Sequence, residues 1–102
     1  IIKMRYNMIK ARNIISDKGN PITNQIIIED YKNKADIFQS YNSIIAIRGF
    51  GKNGRVKVVL DEYYWNYSRT TSKYRNIFLD ETTEETKKKI KDGIYKLANL
   101  NK

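Results

Sequence analysis

The first 60 residues alternate apolar and polar positions in short runs, and turn residues separate these runs. Such alternation, rich in β-branched and aromatic residues, is typical of half-buried strands. Glycine, asparagine and proline concentrate in residues 16–21 and at Asn53-Gly54, where they favour turns between antiparallel strands. The pattern therefore predicts an antiparallel sheet of four or five strands. Its strands come from residues 5–15, 26–29, 36–39, 44–48 and 55–60.

The last third of the chain follows the helical period instead. Residues 73–79 place apolar side chains at i, i+3 and i+4, which is the spacing of one helix face. Thr82 and Glu85 have the spacing of a capping box, and Gly93 is a favourable residue for the end of a second helix. Residues 94–100 fit either a last strand or a continuation of that helix. We therefore expect an α+β fold in which one or two C-terminal helices cover the sheet.

Length and composition limit the number of domains and the available chemistry. A chain of 102 residues builds one modest core, so we expect a single domain over residues 1–102. The chain contains neither cysteine nor histidine, which removes disulfides, thiolate metal sites and the side chain that most often acts as a general base. Its glycines match no phosphate-binding motif. The sequence therefore predicts a binding protein rather than an enzyme, without a metal or a cofactor.

The apolar runs are too short for a membrane helix. Each unbroken run is only a few residues long, whereas a membrane span needs about 20. Lys3, Arg5 and Lys10 interrupt any apolar stretch that would serve as a signal peptide. The lack of cysteine also fits an intracellular protein. We therefore expect a cytoplasmic protein that does not bind a membrane.

The chain is strongly basic. It contains 20 lysine and arginine residues against 11 acidic residues, which gives a net charge of +9. Most of the excess lies in residues 1–60, with eleven basic and four acidic residues. Such a chain attracts nucleic acids and acidic protein surfaces, and it cannot imitate the phosphate backbone itself. The alternative is a solvated basic surface without a ligand, which a lysine- and asparagine-rich composition produces by itself.

Cations gather around the predicted hairpin at Asn53-Gly54. Lysine and arginine side chains on such a tip bind phosphates in a groove or along a backbone. A solvated turn without any ligand has the same composition, so both interpretations stay open. The candidate binding residues in this segment are Arg48, Lys52, Asn53, Arg55 and Lys57.

Residues 63–67 form an aromatic cluster directly before three further cations. Aromatic faces stack on unpaired bases while neighbouring cations hold phosphates, so this segment is a candidate for binding single-stranded nucleic acid. The alternative is a strand in which Tyr63, Trp65 and Tyr67 pack into the core, with Tyr64 as the exposed ring. The candidate binding residues here are Tyr64, Arg69, Lys73 and Arg75.

Two blocks of sequence resemble a family of small, uncharacterised phage and prophage proteins. They are residues 38–46, FQSYNSIIA, and residues 65–79, WNYSRTTSKYRNIFL. The second block is similar to the family pattern W-[DN]-Y-S-x-T-T-x-K-Y-x-x-x-F-L, in which aspartate is usual at the position of Asn66. The resemblance implies an accessory protein of a mobile genetic element. Inhibitors of host defence, including anti-CRISPR proteins, are a recurrent class among such proteins.

Three functions are consistent with these features. The first is an anti-defence inhibitor that binds a nucleoprotein effector, or its nucleic acid, in a bacterial host. The second is a general nucleic-acid-binding module for RNA or single-stranded DNA. The third is a small ribonuclease that works without histidine. Its proton-transfer and charge-stabilising groups are Arg48, Arg55, Tyr64 and Arg69.

Overall fold

Five consecutive strands pair as antiparallel neighbours, as the alternation predicts. The computed structural model describes residues 8–102. Its strands are β1 (Ile9–Ile15), β2 (Pro21–Asp30), β3 (Ala35–Ser40), β4 (Ser43–Phe50), β5 (Val56–Asp61) and β6 (Lys96–Ala98), and its helices are α1 (Arg69–Leu79) and α2 (Thr83–Lys91). The fold is therefore α+β with both helices in the C-terminal third. The predicted start of the first strand, at residues 5–7, lies outside the described residues.

The sheet is larger than the predicted four or five strands, and it is mixed rather than purely antiparallel. Its six strands follow chain order, and β6 pairs with β5 in parallel. A parallel neighbour requires a crossover connection, which α1 and α2 provide. Residues 94–100, for which the sequence left two possibilities, therefore contain the last strand. β6 has only three residues, which is too few to give a recognisable period.

Local caps determine where both helices begin. The N–H of Thr71 donates to Ser68 Oγ at 3.1 Å, so α1 begins four residues earlier than predicted. Both bonds of the predicted capping box are present at the start of α2. The N–H of Glu85 donates to Thr82 Oγ1 at 3.1 Å, and the N–H of Thr82 donates to Glu85 Oε1 at 2.9 Å.

The core lies between α1 and one face of the sheet. A row of four buried residues crosses the sheet in register from β2 to β5: Ile27, Phe38, Ala46 and Leu60. Phe78 of α1 packs on this row, with its ring centroid 5.8 Å from that of Phe38. Burial of these side chains on one face explains why the strands alternate in sequence. Within residues 8–102, no helix is long and apolar enough to cross a membrane.

The opposite face of the sheet also carries aliphatic side chains. Successive residues of a strand point to opposite faces, so the neighbours of the core row form a second row. This row consists of Ile28, Ile37, Ile47 and Val59. These side chains are half-buried rather than buried.

Candidate functional site

The loop between β4 and β5 displays most of the hairpin cations that the sequence singled out. Its ends are closed by a hydrogen bond of 2.7 Å from the N–H of Gly51 to the carbonyl of Arg55. Asn53 and Gly54 have φ angles of 65° and 72°, the left-handed conformation that an Asn-Gly pair favours. The loop is therefore longer than a two-residue hairpin turn. It exposes Lys52, Asn53, Arg55 and, at the start of β5, Lys57.

A second turn adds cations that the sequence did not connect with this loop. Residues 31–34 join β2 to β3 at the same end of the sheet, and the N–H of Phe50 donates to the carbonyl of Lys34 at 2.8 Å. Lys32 and Lys34 are both exposed on this turn. The rings of Tyr31 and Phe50 are also exposed there. We call this surface the basic end, defined by Lys32, Lys34, Lys52, Arg55 and Lys57.

The carboxylates near the basic end are engaged with other groups. Within residues 8–102, none lies within ion-pair distance of its five cations. Asp30 accepts hydrogen bonds from the side chain and the backbone N–H of Asn33, at 2.7 and 3.1 Å, and these bonds lower the pKa of Asp30. Asp36 pairs with Arg48 at 3.2 Å. The charge of Lys32 also contributes to the lowered pKa of Asp30, and Lys34 shares a cleft with Glu29, Asp30 and Asp36. The five cations of the basic end are therefore free of direct ion pairs among the described residues, but carboxylates lie near two of them.

Arg48 ties the sheet to α1 instead of standing free on the surface. Its Nη1 donates to the carbonyl of Phe78 at 2.7 Å, and its Nη2 donates to Asp36 Oδ2 at 3.2 Å. The guanidinium also lies 4.5 Å from the ring centroid of Phe78. Arg48 is half-buried. Of the five hairpin candidates, it is the one whose charged group is used within the fold.

The aromatic segment is a turn and not a strand, because a buried carboxylate ends β5. Asp61 Oδ2 accepts the N–H groups of Tyr63 and Tyr64 at 3.0 and 2.8 Å, and its Oδ1 accepts the N–H of Leu100 at 2.8 Å. Burial by itself would raise the pKa of Asp61, but these donors outweigh it and hold the pKa below its ordinary value.

The prediction of an exposed Tyr64 beside three buried rings is consequently wrong. Tyr63 and Tyr67 are 77% and 68% exposed, whereas Tyr64 and Trp65 are half-buried. The ring of Tyr64 lies edge-on to both neighbours, at 5.1 Å from Tyr63 and 5.4 Å from Tyr67. The two outer tyrosines, rather than Tyr64, are therefore the exposed rings of this segment.

Arg75 is completely buried, which corrects its assignment as a surface binding residue. Its Nη1 donates to the carbonyl of Trp65 and to Asn66 Oδ1, at 2.5 and 3.1 Å. Its Nη2 donates to Asn76 Oδ1 and Thr83 Oγ1, both at 2.9 Å. Burial lowers the pKa of Arg75, and the negative charge of a neighbouring carboxylate opposes that shift. The residue joins the aromatic turn to the two helices.

Arg69 and Lys73 remain exposed near the start of α1, where they border a shallow depression that also contains Ser68. We call this region the tyrosine end, defined by Tyr63, Tyr67, Arg69 and Lys73. β4 connects it with the basic end, and the eight residues of β4 span about 26 Å. The predicted residues therefore form two groups at opposite ends of the sheet. The four ribonuclease candidates are divided in the same way, with Arg48 and Arg55 at one end.

A cleft of about 340 Å³ beside α2 contains a polar cluster that the sequence did not indicate. The side chain of Glu81 is only 5% exposed and accepts from Lys89 Nζ and the Tyr95 hydroxyl, both at 2.7 Å, and from Thr86 Oγ1 at 2.5 Å. Burial alone would raise the pKa of Glu81, but these donors hold the pKa below its ordinary value. The hydrogen bond between Lys89 and Glu81 in turn raises the pKa of Lys89. The paired charges give the cluster a structural role. Within residues 8–102, no group of three acidic side chains is placed to hold a metal ion.

Comparison with known proteins adds family membership. Residues 9–93 match the model of a family described as "Family of unknown function (DUF8033)". No curated protein and no solved structure matches the chain. Both sequence blocks described above, residues 38–46 and 65–79, lie inside the matched span. Because the match covers most of the chain, the protein belongs to the DUF8033 family of unknown function.

Proposed function

We propose that this protein binds nucleic acid, or a nucleoprotein complex that contains it, through the basic end. The observation that carries this proposal is the convergence of five exposed cations, four on two adjacent turns that are distant in sequence and one, Lys57, at the start of β5. Long basic side chains on neighbouring turns contact successive phosphates of one strand, and release of counterions then drives binding. The fold therefore concentrates charge that the sequence distributes over residues 32–57.

Exposed rings beside these cations favour a single strand over a duplex. Tyr31 and Phe50 are 51% and 40% exposed at the basic end. Unpaired bases can stack on such rings while lysines hold the backbone, and each stacked base stabilises the complex by about 1–3 kcal/mol. A duplex hides its base faces, so it would engage the cations alone. RNA or single-stranded DNA is therefore the preferred ligand class.

The biological role that we propose is that of a phage accessory protein which inhibits a nucleoprotein effector of host defence. Its support is the resemblance of residues 38–46 and 65–79 to small phage and prophage proteins. The net charge of +9 favours contact with the nucleic acid of such an effector or with an acidic surface on it. Binding without chemical turnover is sufficient for this role.

Fluorescence anisotropy with labelled single-stranded RNA tests the proposal. The test variant replaces three lysines of the basic end by glutamine: Lys34→Gln, Lys52→Gln and Lys57→Gln. The matched control removes the same charge from three exposed lysines that lie apart from one another: Lys18→Gln, Lys87→Gln and Lys102→Gln. At fixed ionic strength we expect the clustered variant to lose at least tenfold more affinity than the control, because it removes adjacent phosphate contacts.

Equal losses in the two variants would show that only net charge matters, and they would refute a specific basic end. Absence of binding by the parent protein to RNA and to DNA would refute the proposal in its nucleic-acid form. A pull-down from lysate of a phage host, with and without nuclease treatment, then distinguishes binding to nucleic acid from direct binding to an effector protein. Capture that nuclease abolishes indicates nucleic acid, and capture of one effector that survives nuclease indicates a direct protein contact.

A further inference from the structure

The two sequence blocks, residues 38–46 and 65–79, meet in the fold and line one cleft at the tyrosine end. The cleft has a volume of about 350 Å³, and ligand pockets begin at about 300 Å³. The first block contributes Tyr41 from the turn between β3 and β4, and the second contributes Tyr67 from the segment before α1. Both tyrosines are more than half exposed, so their ring faces are accessible at the mouth of the cleft.

The inner wall of this cleft is rich in hydroxyl groups. Thr71 Oγ1 lies 3.4 Å from Ser40 Oγ and accepts from Ser68 Oγ at 3.1 Å, which forms a continuous polar line. Gln25, which does not itself line the cleft, is paired directly across from Ser40, is buried, and has no hydrogen-bond partner for its side-chain amide among the described residues. Ile45 completes the lining as an apolar residue. Aromatic faces together with a polar wall suit a flat ring that carries hydrogen-bonding groups on its edge.

Tyr41 adopts a backbone conformation that an aromatic residue rarely takes. Its φ angle is 55°, in the left-handed region where glycine is favoured, and its N–H donates to the carbonyl of Asn24 at 2.8 Å. A glycine would fit this turn with less strain. Strained backbone conformations occur often at ligand-binding sites, which motivates a role for the Tyr41 side chain in binding.

Two cations stand next to the cleft. Arg69 and Lys73 border the depression that shares Ser68 with the cleft. Within residues 8–102, neither forms an ion pair with a carboxylate. A neutral ring ligand would leave these charges unused, whereas a nucleotide places a phosphate beside its base.

We infer that the cleft binds one unpaired base of a single-stranded nucleic acid against the rings of Tyr41 and Tyr67, with the adjoining phosphate beside Arg69 and Lys73. The inference rests on the proposed function and extends it with a second contact at the opposite end of the sheet. The basic end binds the phosphate backbone of a single strand or of a duplex. The cleft accepts only an unpaired base that can leave the base stack. The cleft therefore gives the protein a preference for single strands.

Two neighbouring tyrosines supply a matched pair of variants. Tyr63 and Tyr67 are both exposed and both pack edge-on against Tyr64, but only Tyr67 lines the cleft. We expect Tyr67→Ala to weaken binding of a single-stranded oligonucleotide by about 5- to 150-fold, the loss of one stacked base. Tyr63→Ala is expected to leave the affinity unchanged. Neither variant should alter binding of a duplex of equal length.

A third variant separates function from folding. Tyr41→Gly relieves the left-handed strain, so its thermal midpoint should equal or exceed that of the parent protein. Its affinity for the single strand should nevertheless fall as it does in Tyr67→Ala. In parallel, AMP and ribose 5-phosphate are titrated into the parent protein while the amide NMR signals of Ser43 and Thr71 are followed. AMP is expected to shift both signals, and ribose 5-phosphate to shift neither.

Equal affinities of Tyr67→Ala and Tyr63→Ala would overturn the inference and leave the basic end intact. Equal shifts with ribose 5-phosphate would also overturn it, because the cleft would then recognise the phosphosugar and not the base. If AMP shifts the cleft signals but the clustered lysine variant binds as well as its control, the assignment of the basic end as the backbone-binding surface fails, while the cleft remains a site for an unpaired base. The two conclusions are therefore tested separately.

Discussion

Replacement of Arg75 by lysine tests whether a buried guanidinium, and not hydrophobic packing alone, holds the aromatic turn against the helices. The guanidinium makes four hydrogen bonds through two nitrogens, two of them to the turn at Trp65 and Asn66 and two to the helices at Asn76 and Thr83. All four acceptors are neutral groups, and the charge of Glu81 acts on the guanidinium without a direct hydrogen bond. Arg75→Lys keeps the charge buried but replaces the planar guanidinium by a single ammonium, which cannot reach the acceptors of both the turn and the helices.

The expected loss of stability follows from those contacts. Hydrogen bonds to a charged group contribute about 1.5–3 kcal/mol each, and lysine at position 75 gives up at least two of them. The desolvation cost of the buried charge remains in Arg75→Lys, because the ammonium occupies the same buried site as the guanidinium. We therefore expect the free energy of unfolding to fall by about 3–6 kcal/mol, a large part of the roughly 5–15 kcal/mol typical of a small domain.

Urea denaturation followed by tryptophan fluorescence measures this change. Trp65 is the only tryptophan and lies 5.1 Å from the Arg75 guanidinium, so its emission reports on the same turn. Arg69→Lys is the control, because Arg69 lies on the same helix but is exposed, and such substitutions change stability by less than about 0.5 kcal/mol. Equal stabilities of the two variants would refute the structural role of Arg75.

Two further predictions concern α2. Thr82→Ala removes one half of the capping box with Glu85, and we expect a loss of about 1 kcal/mol in urea denaturation. Glu81 has a folded-state pKa below its ordinary value, so its contribution to stability is present above that value and is lost as the pH falls through the folded pKa. Unfolding measured between about pH 6 and pH 3 should therefore lose less stability in Glu81→Gln than in the parent; equal losses would contradict this.

Sequence patterns predicted the hairpins and the caps because both depend on nearby residues. The alternation in β2 to β5 arises from a sheet that buries one row of side chains, and the Thr82 to Glu85 spacing directly forms the capping box. β6 could not be found in this way. It exists because the two helices return the chain to β5, and because Asp61 accepts the N–H of Leu100.

The candidate residues were harder to assign, since exposure depends on the complete fold. Lys32 and Lys34 join the basic end only when the order of the strands is known. Arg69 and Arg75 are both helical cations, but Arg75 shares the face of Thr71 and Phe78 at i, i+4 and i+7, which are buried. That spacing was the available signal for a buried arginine. No sequence pattern indicated that Tyr41 has a positive φ.

The salt dependence of binding provides the sharpest test of the basic end, because counterion release counts the phosphates in contact. Five cations engaged with a single strand predict a slope of log K against log salt of about −3.5, from 0.7 per phosphate. The clustered variant removes three of the five, so its slope should be about −1.4. The scattered control should keep the parent slope even if its affinity falls slightly.

Stacking of a base on Tyr67 releases no counterions, and the one phosphate beside Arg69 and Lys73 adds only about 0.7 to the magnitude of the slope. Tyr67→Ala should therefore lower the affinity for a single strand at every salt concentration without changing the gradient of the plot. In a plot of log K against log salt, loss of the lysines therefore changes the gradient, and loss of the Tyr67 ring changes the intercept. A clustered variant with an unchanged gradient would mean that its lysines act through the overall field rather than through individual phosphates.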